Sequence, residues 1–75
     1  MKPLPVIDLK ATGENIRCLR AEAKLSVSQL QHIFGFASTQ AIYKWQRGDS
    51  LPTLDNMAVL AAVLNVSIDE IIRYK

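Results

Sequence analysis

The segment from Ser38 to Gly48 carries the densest set of side chains suited to chemistry in this sequence. If it forms a helix, its amides, hydroxyls and cations fall mainly on one side. Glutamine suits the edge of adenine, lysine and arginine suit guanine or phosphate, and tyrosine packs on a thymine methyl or bonds a phosphate. The side chains on this polar side are Thr39, Gln40, Tyr43, Lys44 and Arg47. The segment therefore fits contact with the bases and backbone of DNA, and equally the polar outer helix that any small helical bundle presents.

The opposite side of this helix is narrow and apolar. The same spacing places Ile42 and Trp45 there, with Ala41 and Ser38 beside them. We expect Ser38 to cap the helix and Gly48 to end it. Trp45 is predicted to anchor the helix on the core rather than to stack on a base. A helix held by a few anchors leaves its other side free for a partner.

A second helix precedes the polar one. Ser26 and Gln29 fit the reciprocal hydrogen bonding of a capping box, and Leu25 can pack on Leu30 across it. Gly35 can adopt the left-handed conformation that ends a helix. Two short helices joined by a tight turn, the second polar on its outside, are typical of proteins that place a helix in the DNA major groove, and the backbone amides that start both helices suit phosphates. The side of the second helix predicted to be buried is Leu30, Ile33 and Phe34.

The chain before these two helices is predicted to hold an arm and a first helix. Pro3 and Pro5 favour extended backbone, so residues 1–11 are predicted to form an N-terminal arm. The first helix is expected over residues 12–24. Arg20 lies on its inward side, where a long cation usually extends its head towards water. The apolar residues on that side are Ile16, Leu19 and Ala23.

The C-terminal part of the sequence predicts two more helices. Thr53 is expected to cap the fourth helix and Asn65 to end it. Ser67 and Glu70 form a second capping box, which opens a short last helix. The residues predicted to face the core are Met57, Leu60, Ala61, Leu64, Ile68, Ile71 and Ile72. No segment has the pattern of a strand, so the predicted fold is all-α, a compact five-helix domain over residues 12–75 after the arm.

Composition and charge restrict the function classes. A chain of 75 residues, 49% of them hydrophobic, has room for one compact domain. A single cysteine and a single histidine cannot form an internal disulfide or a metal cage, no run is long enough to span a bilayer, and no catalytic motif is present. We therefore expect a cytoplasmic protein with no cofactor and no enzymatic activity. The net charge is +2, but residues 15–48 hold five bases and one acid, which fits a polyanion or an ordinary solvated surface equally well.

Three stretches of the sequence together resemble the lambda-repressor-like, Xre/Cro-type helix-turn-helix regulators. They read GENIRCLR, LSVSQLQHIFGF and QAIYKWQRGDSLPTLDNMAVLAAVLNVSIDEII, and the likeness extends from Thr12 to about Arg73. Its most specific part is WQRG, which ends the third helix and is followed by a proline and two amphipathic helices. The resemblance implies five helices, binding to operator DNA as a dimer, and a recognition segment from Ser38 to Lys44. The expected function is that of a small transcriptional regulator that represses, with activation as the alternative.

The sequence departs from the family pattern at three places. Val27 stands where the family often has glutamine, so the resemblance assigns the phosphate contact at the start of the second helix to Ser28 or Gln29. Gln46 stands where the family often has glutamate, so Arg20 is expected to donate a hydrogen bond there in place of an ion pair. The turn GFAS is one residue longer than usual, and its Phe36 either packs on the core or stands exposed.

The implied partners are double-stranded DNA, read as an inverted repeat, and a second copy of the chain. Candidate contacts between copies are apolar residues of the arm and of the C-terminal half, namely Val6, Ile7, Leu9, Leu51, Ile68, Ile72 and Tyr74. The arm can instead fold back over the first helix. The other function left open is a protein-interaction module, such as an antitoxin-like subunit bound to a toxin. Weak DNA affinity, like that of any slightly basic protein, would favour that alternative.

Overall fold

Short helices account for most of the chain in the computed structural model, which describes residues 4–75. They are α1 (Leu9–Glu22), α2 (Val27–Phe34), α3 (Gln40–Arg47), α4 (Leu54–Leu64) and α5 (Ile68–Ile71). Within these residues the only strand-like pairing is an isolated bridge between Ile7 and Tyr74. The prediction of an all-α fold with five helices is therefore confirmed. No helix in the described part has the length and apolar character needed to cross a membrane.

Most helix boundaries follow from local hydrogen bonds that the sequence encodes. Ser26 Oγ accepts from the Gln29 amide at 3.0 Å while Gln29 Oε1 accepts from the Ser26 amide at 2.7 Å, so the predicted capping box of α2 is present. Ser67 and Glu70 make the same box at α5, and the Thr53 side chain caps α4. Left-handed residues end α2, α3 and α4 as predicted, and these are Gly35, Gly48 and Asn65.

The start of α1 differs from the prediction. Asp8 caps this helix, because its Oδ1 accepts a hydrogen bond from the Ala11 amide at 2.9 Å. Aspartate is a strong capping residue, and here it starts the helix shortly after Pro5. Residues 9–11, assigned to the arm, are therefore helical, and α1 ends at Glu22 rather than at position 24. Residues 1–3 of the predicted arm lie outside the described residues.

Every helix contributes to one hydrophobic core. The fully buried aliphatic side chains come one from each helix, and they are Ile16, Leu30, Ile42, Leu60 and Ile71. The apolar stripe predicted for α4 is buried, with Met57, Ala61 and Leu64 beside Leu60. Around the core, Leu19, Ile68 and Ile72 are half-buried and pack against it.

Ile33 and Ala23 are predicted to be buried, but both are exposed. Ile33 is 49% exposed, and Val27 takes its place at 8%. Val27, Leu30 and Phe34 follow the spacing of a single helix face, whereas Ile33 lies on the flank of that face. Ala23 is exposed because α1 has ended before it.

The arm pairs with the C-terminal end of the same chain. The Asp8 amide donates to the Arg73 carbonyl oxygen and the Lys75 amide to the Val6 carbonyl oxygen, both at 2.8 Å. The hydroxyl of the fully buried Thr12 accepts from the Arg73 amide at 2.9 Å. The arm thus folds back on its own chain, but it pairs with the C-terminal segment rather than with the first helix. We call residues 6–8 with residues 73–75 the terminal clasp.

Candidate nucleic-acid interface

A small number of apolar contacts fixes α3 to the core. Ile42 is fully buried and Trp45 is 4% exposed. The Trp45 ring meets Phe34 and Phe36 edge-on, with ring centroids 5.5 and 5.8 Å apart, and the two phenylalanine rings stack on each other. Phe36 is half-buried, and its aromatic side chain packs on the core. Trp45 therefore anchors α3 on the core, as predicted.

The opposite side of α3 is polar and open to solvent. Gln40, Tyr43, Lys44 and Arg47 are all exposed, and we call these four residues the outer face of α3. Gln40 and Lys44 lie one helical turn apart and line a shallow groove together with Ser38. Tyr43 and Arg47 lie one turn apart beside them. The outer face is thus one continuous surface of donors, acceptors and cations.

The turn into α3 differs from the prediction. Thr39 rather than Ser38 is the capping residue, and its side chain makes no capping hydrogen bond. Ser38 is exposed instead of lying against the core, and its Oγ accepts from the Gln40 amide at 3.3 Å. Since Thr39 is half-buried, Ser38 presents the freer hydroxyl of the two.

The start of α2 holds the other two predicted contact residues. Ser28 and Gln29 are both exposed in its first turn, on a surface separate from the groove at α3. The side-chain oxygen Oε1 of Gln29 already accepts the hydrogen bond of the capping box. The side-chain nitrogen Nε2 is therefore the group that is left to donate to a phosphate. Val27 is buried and offers no polar contact. The predicted contact residues therefore form two groups, one at each helix of the pair.

Acidic neighbours already engage two of the basic residues in this half of the chain. Arg17 pairs with Glu14 on α1, and its hydrogen bonds hold the pKa of the Glu14 carboxyl below the ordinary value. Arg47 Nε lies 3.0 Å from Asp49 Oδ2, but both side chains are more than half exposed, so this pair is weak. Lys44 makes no ion pair with any residue of the described chain. On the outer face of α3 it is the cation whose charge is fully available.

Arg20 makes a connection that the sequence pattern alone understated. Its Nε donates to Gln46 Oε1 at 3.0 Å, and its Nη1 donates to the Leu25 carbonyl oxygen at 2.7 Å. The guanidinium thereby joins α1 to the end of α3 and to the turn before α2. The general expectation that this long cation only extends towards water is wrong. The hydrogen bond to Gln46 that the family resemblance implied is present.

Comparison with known proteins bears on this arrangement of helices. A profile of the helix-turn-helix family matches residues 16–71, more than half of the chain. The crystal structure of the DNA-binding domain of BldD is similar with a TM-score of 0.72 at 23% sequence identity, over 87% of this chain and 93% of that chain, which shows the same fold. No curated protein matches the sequence. The chain therefore belongs to the lambda-repressor-like, Xre-type helix-turn-helix family of DNA-binding transcriptional regulators.

Proposed function

We propose that this protein is a small transcriptional repressor that binds double-stranded DNA sequence-specifically, with α3 in the major groove. The observation that supports this most strongly is the outer face of α3, which is fully polar on a helix anchored from behind by Ile42 and Trp45. The major groove is about wide enough to admit one α-helix. A protein seated on a promoter keeps other proteins off the same duplex, so occupancy is sufficient for repression.

The outer face suits direct reading of base edges. The Gln40 side chain can exchange two hydrogen bonds with adenine, and Lys44 can donate to guanine. Tyr43 packs on a thymine methyl or bonds a phosphate. Arg47 gives up a weak, exposed pair with Asp49 and turns to guanine or phosphate. We therefore assign base contacts chiefly to Gln40 and Lys44.

Phosphate contacts are assigned to the starts of α2 and α3. The first amides of a helix have no partner within it, and they attract phosphate oxygens. At α2 these amides belong to Val27 and Ser28, and the Ser28 hydroxyl and the Gln29 side-chain amide stand beside them. At α3 the hydroxyls of Ser38 and Thr39 take the same role. Such contacts set the orientation of the protein on the duplex without reading its sequence.

We also propose that two copies bind an inverted repeat. One recognition helix makes few base contacts, whereas specific affinities of about 10⁻⁸ M or tighter generally need two half-sites about one helical turn apart. Val6, Leu9 and Tyr74 support a contact between copies because they are 54%, 37% and 53% exposed. The remaining candidates are half-buried within the chain and offer less surface, and they are Ile7, Leu51, Ile68 and Ile72.

Selection from a random pool of double-stranded DNA tests the binding proposal directly. The protein should enrich a related set of sequences. Lys44→Ala and Gln40→Ala should each weaken binding to the enriched duplex about tenfold, the contribution of one good base contact, with unchanged circular dichroism. Lys75→Ala is the matched control, because it removes the same charge from the terminal clasp while keeping the backbone hydrogen bond. No enrichment, or unchanged affinity in both α3 variants, would refute the proposal.

Sedimentation tests the two-copy part separately. The enriched inverted repeat should carry two copies of the protein, and a duplex with one half-site should carry one copy and bind more weakly. Equal affinity for both duplexes, with a single copy on each, would exclude the two-copy proposal and leave DNA binding intact.

A second candidate function is docking on another protein, such as a toxin held by an antitoxin-like subunit. The outward side of α4 favours it, because Leu54 and Val59 are 78% and 42% exposed there. Exposed apolar surface of this kind marks protein contacts more often than nucleic-acid contacts. This candidate would replace the first if the protein bound every duplex as weakly as any slightly basic protein does.

A further inference from the structure

α1 and α3 touch through their backbones at a buried glycine. Gly13 lies in α1 and is buried. A Cβ atom added to it would overlap the Trp45 carbonyl oxygen and lie 2.8 Å from the Gln46 carbonyl oxygen. Both obstacles belong to the main chain of α3, so no side chain can rotate to make room. A methyl group at this position can be accommodated only if one helix moves away from the other.

A second glycine repeats the contact from the other helix. Gly48 follows α3 with φ +80°, and a Cβ atom there would lie 2.8 Å from Lys10 Cα and 2.9 Å from Lys10 N. Each helix thus offers a glycine to the backbone of the other. We call Gly13, Gly48 and the backbone they face the glycine joint.

The glycine joint holds the C-terminal end of α3 in backbone contact with α1. Helices packed through side chains can adjust by changing rotamers, whereas two backbones in contact have nothing to rearrange. The same end carries the Arg20–Gln46 hydrogen bond, and Lys44 and Arg47 project from this last turn of α3. The start of α3 has no side-chain hydrogen bond from its capping residue. The C-terminal end of α3 is therefore the end that is held most firmly against the rest of the domain.

We propose that Gly13 and Gly48 are positioning residues for DNA recognition, an inference that rests on the proposed function. The joint sets how far the outer face of α3 stands from the body of the domain, and hence where Lys44 lies relative to the phosphate-binding start of α2. Hydrogen bonds to base edges weaken steeply with distance and angle. Contacts between flexible cations and phosphates tolerate a shift. Widening the joint therefore removes selectivity before it removes DNA binding.

Three glycine substitutions separate this role from a general effect on folding. Gly13→Ala adds a methyl group at a helical position, so it changes the contact and adds no left-handed strain. Gly48→Asn adds the same obstacle at a left-handed position. Gly35→Asn is its matched control, because Gly35 ends α2 with φ +71° but a Cβ atom there meets nothing within 4 Å. Asparagine suits both sites, since Asn65 adopts φ 57° at the end of α4.

The measurement is a ratio of two affinities at a temperature where circular dichroism shows each variant folded. One affinity is for the duplex that the wild-type protein selects from the random pool, and the other is for the unselected pool. We expect this ratio to fall about tenfold or more in Gly13→Ala and Gly48→Asn, and to stay within about twofold of wild type in Gly35→Asn. A purely structural glycine would lower both affinities together and leave the ratio unchanged.

Three results would overturn the inference, or the proposal beneath it, in distinguishable ways. A wild-type ratio in all variants that fold would refute the positioning role. An equal fall in Gly35→Asn and Gly48→Asn would assign the effect to left-handed strain, and this pair decides the matter alone if Gly13→Ala does not fold. A wild-type protein that selects no duplex would refute the proposed function instead. The joint would then be judged by NMR, where Gly48→Asn should shift the amide signals of both α1 and α3, and Gly35→Asn should not.

Discussion

The consecutive helices α3 and α4 both bury an apolar inner side, but their solvent-exposed outer sides differ in polarity. α3 is held by Ile42 and Trp45, and α4 by its stripe of Met57, Leu60 and Leu64. The outer face of α3 is entirely polar. The outer face of α4, by contrast, is apolar apart from one acid and consists of Leu54, Asp55, Ala58, Val59 and Ala62.

This difference separates what folding requires from what a partner requires. Burial of the inner sides is needed for stability, and each helix contributes a fully buried aliphatic residue to the core. The outer sides are free to vary as far as folding is concerned. Polar and basic groups on α3 suit a polyanion, whereas apolar groups on a surface helix suit another protein. Under the two proposed functions, the outer face of α3 meets DNA and the outer face of α4 meets another protein.

The largest effect should come from the inner sides, where the two helices are alike. Trp45→Ala should lower the free energy of unfolding by about 3–5 kcal/mol and Leu60→Ala by about 2–5 kcal/mol, since both leave cavities in one core. A domain of this size has roughly that much stability to lose, so both variants should be largely unfolded. Urea denaturation followed by circular dichroism measures this. A Trp45→Ala variant that folds normally but binds DNA poorly would place the indole at the interface and break the parallel between the helices.

The next effect distinguishes the outer faces. Lys44→Ala should reduce the slope of log affinity against log salt by about 0.9 if it meets a phosphate, because one fewer counterion is released. If Lys44 instead donates to guanine, the Lys44→Ala variant should lose selectivity at one base position, which corresponds to about 1–3 kcal/mol of binding free energy. Fluorescence titrations of the selected duplex over a range of salt concentrations measure both. Unchanged slope and unchanged selectivity would remove Lys44 from the interface.

Much of the fold could be predicted because its signals are local. The capping boxes at Ser26 and Ser67 and the left-handed end at Gly48 depend on residues three to five positions apart, which a single sequence displays. The outer face of α3 follows from helical periodicity and anchors at Ile42 and Trp45. These features were predicted correctly.

The rest depends on residues that only the folded chain brings together. Whether Val27 or Ile33 faces the core is decided by the direction from which α2 meets its neighbours, and an eight-residue helix carries too few turns to display it. The terminal clasp joins backbone groups from opposite ends of the chain. In the sequence, Gly13 can be recognised only as a residue of low helix propensity. Its importance emerges from the α3 backbone that faces it.

A smaller effect should come from the connection behind α3. Gln46→Glu replaces a neutral acceptor of Arg20 with a carboxylate, and it should raise the free energy of unfolding by about 0.5–1 kcal/mol because charge-assisted hydrogen bonds are stronger. Urea denaturation at neutral pH measures the gain. The gain should be lost as pH falls through the pKa of the new carboxyl, since the ionised form is the one that Arg20 favours. A gain that persists in acid would come from some other source.

The smallest effect on folding should come from the outer face of α4. Val59→Lys places a cation on an exposed position and should change the free energy of unfolding by less than about 0.5 kcal/mol. Affinity for a single half-site should also stay unchanged if α4 lies away from the duplex. Sedimentation on the inverted repeat sharpens the comparison. Loss of two-copy binding in this variant would identify the α4 surface as the contact between copies, and unchanged two-copy binding would leave it to another protein.

The terminal clasp has a consequence for how the chain folds. The clasp joins Val6 to Lys75 and Asp8 to Arg73, whereas the caps act within a few residues, so it closes the longest loop in the described chain. Loop closure costs more entropy as the loop lengthens, and local contacts form in less time. The helices should therefore assemble first and the clasp last. In hydrogen exchange, the amides of Asp8 and Lys75 should open far more often than those of the core helices, leaving a folded domain whose two ends come apart transiently.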